Sequence, residues 1–165
     1  TMTNPVTQHL RHFEDLVVGE VIDLGHTTVT KEMIFTFARE FDPLPFHIDE
    51  EAAKKSLLGG LASSGWQTGA LSLRMLVDSF LGKIASAGGL GFQDLKWKNP
   101  VMASFSTLSI GYAIGGTATI AGLRRSGSHP QWGIVTLDFD IRNQSGKPVM
   151  TMQLSNLIEC REAAA

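Results

Sequence analysis

Between Ser63 and Gly82 the chain carries a helical segment that is apolar on nearly every side. Trp66, Ala70, Leu71, Leu73, Met75, Leu76, Val77 and Phe80 cover most of its circumference, and Arg74 and Asp78, four apart, mark the polar side that remains. A helix apolar all round is one buried inside a domain. Ser63 and Ser64 stand where N-caps stand, so the helix is expected to run through about Leu81 and to end near Gly82. Gln67, Arg74 and Asp78 interrupt it, so it falls short of the ~20 apolar residues a membrane span needs.

The rest of the chain indicates what surrounds this helix. Phe13 to Glu20 reads as an entry segment and Val21 to Val29 as a strand. Thr30 is placed to cap a helix with Glu32 in its first turn and Met33, Ile34, Phe37, Ala38 and Phe41 at helical spacing. Pro43 and Pro45 end it by Phe41 or Asp42. Asp49 to Lys55 reads as one or two helical turns, and Gly59-Gly60 as a flexible joint. From Gly91 onward the pattern changes to strands: Phe92 to Trp97 and Thr136 to Ile141 alternate. Asn143-Gln144-Ser145-Gly146 marks a turn between strands at Gly133 to Arg142 and Pro148 to Glu159, and Ser126 to Pro130 is a loop. Ser104 to Leu123 is strand-like, rich in Gly and Thr, with its register open.

A long helix followed by antiparallel strands implies an α+β architecture with a curved sheet wrapped around the helix. The 165 residues suit a single domain over 1–165, with a core from about 13 to 160. Such a sheet covers the helix on one side only, so a dimer is expected to hide the other. The hydrophobic fraction of 43 % and charged fraction of 18 % are those of an ordinary globular chain. With a formal net charge of −2 and no basic stripe, nucleic acid is an unfavoured partner. The polar first dozen residues show no apolar signal core, and the lone Cys160 cannot form an internal disulfide. Both favour a cytoplasmic location without membrane attachment.

The segment Phe37 to Asp49 carries the chemistry. It sets Asp42 and His47 five residues apart, separated by two prolines and by Leu44 and Phe46. Prolines restrict the backbone, so a carboxylate at a helix end and an imidazole beyond a stiff turn can converge on one small volume. Leu44 and Phe46 would wall that volume and strengthen its hydrogen bonds. A neutral histidine beside a carboxylate can hold and deprotonate one water, as addition of water to an activated double bond requires. The spacing alone also suits a plainer reading, because Asp-Pro commonly begins turns and loop histidines commonly face solvent.

The same stretch resembles the hydratase motif of MaoC-like dehydratases and (R)-specific enoyl-CoA hydratases: Asp42, a proline-containing turn with Pro45, His47, then Asp49. Leu58 to Trp66 resembles that family's entry to the central helix. Asp94 to Val101 resembles a strand ending in Pro-Val, and Gly133 to Asn143 with Gly146 its last hairpin. The likeness extends over about Phe13 to Glu159. It implies a hot-dog fold, usually dimeric, so that a homodimer or dimer of dimers is expected. It implies an acyl-CoA or acyl-carrier-protein thioester as substrate and no metal or redox cofactor. It implies that Asp42 and His47 activate water and that the backbone N–H of Gly65 contacts the thioester oxygen. The free N–H groups at a helix tip suit that last role. Leu44, Phe46, Ser64 and Trp66 are the expected substrate-binding neighbours.

Three departures stand out. Leu44 replaces a common Asn, Ser64 replaces a common His, and Met102 to Arg125 is longer and richer in Gly than usual, without the Pro-Gly-Asp turn. Two competing functions remain. Hot-dog thioesterases commonly place an acidic residue on the central helix, and none lies between Ser63 and Val77. A non-catalytic acyl-CoA-binding subunit would have no need of Asp42 and His47.

Overall fold

The computed structural model describes residues 10–103 and 113–161. A 3₁₀ turn at Phe13–Asp15 leads to strand β1 (Val21–Thr28). Helices α1 (Lys31–Phe41), α2 (Pro45–Ile48) and α3 (Glu50–Lys55) follow, then α4 (Gly65–Ser79), a 3₁₀ turn at Leu81–Lys83 and strand β2 (Ser86–Trp97). Strands β3 (Ala113–Arg125), β4 (Trp132–Asn143) and β5 (Pro148–Glu159) complete the chain. The five strands form one antiparallel sheet in the order β1-β3-β4-β5-β2. With α4 packed against its concave side, this is the hot-dog arrangement.

Local chemistry accounts for the elements. Thr30 Oγ1 accepts from the Met33 N–H at 3.2 Å and caps α1. Asp49 Oδ1 accepts from the N–H groups of Glu51 and Ala52 and caps α3. In β4, Val135, Leu137, Phe139 and Ile141 are buried at every second position, so one face of the sheet meets the core. Leu76, Ile114, Ile120 and Leu137 are fully buried together there, each contributing about 1.5–3 kcal/mol of hydrophobic stabilisation. The Asn143–Gly146 turn lies between β4 and β5, and Asn143 Oδ1 accepts from the Ser145 and Lys147 N–H groups.

Three expectations need correction. The regular part of α4 stops at Ser79, three residues short of Gly82, and the segment continues as the 3₁₀ turn. Strand β2 begins at Ser86, through a glycine-rich stretch where no alternation is visible. The third concerns the helix faces. Gln67, Thr68 and Ser72 are buried alongside Met75 and Leu76, whereas Trp66 is 55 %, Leu73 44 % and Val77 40 % exposed. The inward polar groups bond locally: Ser72 Oγ donates to the Thr68 carbonyl at 2.7 Å, and Gln67 is held at both ends of its amide. Helix α4 thus turns part of its polar side inward and an apolar stripe of Trp66, Ala70, Leu73 and Val77 outward. The strand-like reading of Ser104 to Leu123 holds from Ala113, and its first part lies outside the described residues.

Candidate active site

Asp42 is the C-cap of α1, its N–H donating to the Ala38 carbonyl at 2.9 Å. Leu44 is extended, and Pro45 begins the single turn of α2, where its fixed φ suits the first helical position. That turn lifts His47 back toward Asp42: His47 Nε2 and Asp42 Oδ2 lie 3.5 Å apart. Pro45 therefore acts by starting a helical turn, while Leu44, after Pro43, stays extended.

His47 is 7 % exposed, and its other nitrogen is anchored. Nδ1 lies 2.7 Å from the carbonyl oxygen of Ala62. A carbonyl only accepts, so Nδ1 carries a proton and the ring turns Nε2 toward Asp42. Phe46 meets the imidazole edge-on, with ring centroids 4.6 Å apart.

Ala62 belongs to a short antiparallel pairing with Met102. The Ser63 N–H donates to the Val101 carbonyl at 2.7 Å, and the Ala103 N–H to the Leu61 carbonyl at 2.9 Å. This pairing also fixes the entry to α4. Ser64 caps the helix, accepting from the Trp66 N–H at 3.3 Å. Gly65, at the first helical position, has an N–H with no carbonyl a turn earlier to receive it. Its Cα faces Trp97 so closely that a Cβ would fall 2.4 Å from the indole ring, and Trp97 Nε1 donates to the Gly65 carbonyl at 3.0 Å. Trp66 stands edge-on to Trp97 at 5.5 Å.

A cleft of about 360 Å³ joins these groups. Asp42, Ser64, Gly65, Thr68 and Trp66 line it, with Trp97, Leu58, Lys98 and Pro100. His47 does not itself line the cleft and reaches it through Asp42, 3.5 Å away. Among the expected substrate-binding residues, Ser64 and Trp66 line the cleft, whereas Leu44 and Phe46 do not. Leu44 is 47 % exposed on the turn, and Phe46 packs against the core and His47. The α2 turn rotates both side chains off the wall the sequence suggested. Trp97, Lys98, Leu58 and the Ala62 carbonyl escaped the sequence reading. The likeness of 58–66 to a helix entry and of 94–101 to a strand ending in Pro-Val pointed near them without assigning them a part. Cys160 is buried at the far end of β5, and burial pushes its thiol up, away from nucleophilic use.

A cleft lined by Asp42 and by the first turn of the central helix, on a hot-dog scaffold, defines a particular class of domain. Residues 15–108, more than half the chain, match the family described as MaoC like domain, and the chain belongs to that family. A MaoC-like dehydratase from Rhodospirillum rubrum shares 38 % identity with a TM-score of 0.79, over 92 % of this chain and 98 % of that one. A structure titled monoamine oxidase regulatory protein, from Archaeoglobus fulgidus, shares 28 % identity with a TM-score of 0.81, over 93 % and 97 %. The uncharacterized protein YdeM of Bacillus subtilis is 29 % identical over 147 residues, 88 % of this chain and 97 % of its own.

Proposed function

We propose that the protein is a hydratase or dehydratase of acyl thioesters, adding water to a trans-2-enoyl thioester or removing it from the 3-hydroxy thioester. The observation that carries this reading is the Asp42–His47 pair, 3.5 Å apart, with Asp42 on the cleft wall and the histidine Nδ1 proton committed to Ala62. In the neutral form of the imidazole both facing atoms are acceptors, so one water can donate a hydrogen to each. In hydration the water oxygen bonds to carbon 3, and the π electrons move to the thioester oxygen as an enolate. The Gly65 N–H, at the positive end of α4, stabilises that oxygen. Asp42 takes one proton from the water as the C–O bond forms and hands it to Nε2 of His47, which has oriented the water and now delivers that proton to carbon 2, while the water's other hydrogen stays on the new hydroxyl. Because Nε2 is bare when water binds, it can deliver only a proton it has received. The pair therefore handles one proton and finishes as it began. Dehydration runs the same steps backwards.

The likeness to a MaoC-like dehydratase supports this reading, while the relative titled as a regulatory protein keeps a non-catalytic role in view. The outward apolar stripe of α4, with exposed Leu90 and Phe92 on β2, supports a homodimer or dimer of dimers. Loss of the conjugated-enoyl absorbance of crotonyl-CoA, followed across a series of chain lengths, tests the reaction. Water addition without thiol release supports the proposal. Release of free thiol marks a thioesterase, and no turnover with any acyl-CoA or acyl-carrier-protein substrate leaves a binding subunit.

A further inference from the structure

Backbone hydrogen bonds through Leu44 link Asp42 to His47, and further bonds link each of them to the entry of α4. His47 is tied to Ala62, and Ala62 runs directly into Ser63, Ser64 and Gly65, so the imidazole and the helix-tip amide share one rigid segment. Asp42 stands on a different element, at the end of α1. A side-chain bridge joins that element to the segment. Gln67, 5 % exposed, donates from Nε2 to the Met33 carbonyl of α1 at 2.9 Å, and its Oε1 accepts from Ser63 Oγ at 2.6 Å. Ser63 is itself buried and held to Val101 through its backbone N–H. A buried amide with both ends engaged has little freedom to reorient.

We infer that Gln67, with Ser63 behind it, is a positioning residue that sets the distance of Asp42 from His47 and Gly65; this rests on the hydratase reading of the site. The lever is long. Met33 and Asp42 are nine residues apart, about 14 Å along the axis of α1, so a tilt of roughly 10° about the bridge would move the carboxylate by about 2 Å. Misplacement by about 1 Å of a reacting group can cost 10²-fold in rate. Gln67 supplies no charge and does not line the cleft, so its effect is on turnover through geometry and not on substrate affinity; Ser63 does line the cleft, so for Ser63 the position of α1 is the deciding readout.

The test compares Gln67→Leu and Ser63→Ala with the wild-type protein by kinetics on an enoyl thioester and by crystal structure. Gln67→Leu is expected to lower kcat at least tenfold with KM within about twofold, and to widen the Asp42–His47 separation by about 1 Å or more. Ser63→Ala removes one of the two bonds and should show a smaller effect of the same kind. If Gln67→Leu does not fold, the smaller shift in Ser63→Ala decides. An unmoved α1, or a wild-type kcat per folded molecule, would overturn the inference, as would a loss confined to KM. If the wild-type protein turns over no thioester, the hydratase reading fails by itself, and the crystal structures alone decide whether the bridge places Asp42.

Discussion

His47 and Ala62 are joined, across fifteen residues of chain, by a hydrogen bond from imidazole Nδ1 to a buried carbonyl. The bond separates the histidine's structural duty from its chemical one. His47→Asn offers an amide N–H near the Nδ1 position but nothing at Nε2. His47→Ala strands the carbonyl, at a cost of about 1–3 kcal/mol for an unsatisfied buried group. Both variants should lose activity, while only His47→Ala should lose that much stability. Chemical denaturation of the two side by side checks this, and equal stabilities would show that the bond has no such role.

Removing the pair's proton chemistry should be costly once and cheap the second time. Asp42→Asn and His47→Ala are each expected to lower turnover by about 10²-fold or more. Because both groups address one water, the double variant should fall little further. Rates for the two single variants and the double variant on one enoyl thioester settle the matter. Additive losses would mean that the residues act on separate steps.

Trp97 occupies the space a side chain at position 65 would need. Gly65→Ala should therefore destabilise the protein by about 1–3 kcal/mol through overpacking and displace the helix-tip amide. In a Trp97→Ala background, which has its own cost from lost packing, the Gly65→Ala change should add little further destabilisation. Thermal melts of both forms provide the measurement, and an undisturbed melt of Gly65→Ala would contradict the packing.

Leu73 and Val77 lie on the outward stripe of α4, where a single glutamate would oppose burial against a second copy. Leu73→Glu should shift the protein to a slower-sedimenting species without unfolding it. Velocity sedimentation of wild type and variant reads this directly. A wild-type protein that sediments as a monomer at micromolar concentration would remove the proposed assembly.

Away from the site, Arg11 donates to both carboxylate oxygens of Glu20 at 2.7 Å, and this hydrogen bond holds the Glu20 carboxyl below its ordinary value of 4.5. A depressed carboxyl stabilises the fold above its unfolded value, and that contribution disappears as pH falls through the lower folded value. The pair is partly exposed, so it contributes less than about 1 kcal/mol. The stability gap between wild type and Glu20→Gln should be largest near neutral pH and close below pH 4.5. Melts taken down the acid range test it, and a gap that persists at low pH would point to packing.

Much of this architecture was legible because the relevant signals are local. Thr30 and the spacing from Met33 to Phe41 identify α1, and the turn at Asn143–Gly146 identifies the last hairpin. Asp42 and His47 could be singled out because both sit on one short, proline-restricted stretch. The orientation of α4 was not legible. Periodicity assumes that polar residues face water, and Thr68, Ser72 and Gln67 escape the rule by finding partners within the helix and on α1. Nor could spacing show that Trp97 rests on Gly65, since 32 residues and a strand of unremarkable composition separate them. A serine four residues ahead of a glutamine, at the mouth of an apolar helix, was the one available hint of the Ser63–Gln67 bond.

The outward stripe of α4 has a thermodynamic corollary. If a second copy covers it, the folded state is reached by a reaction whose order exceeds one. The melting temperature would then climb with the logarithm of protein concentration. Dilution would loosen the same helix whose tip carries the Gly65 amide, and specific activity would fall with it.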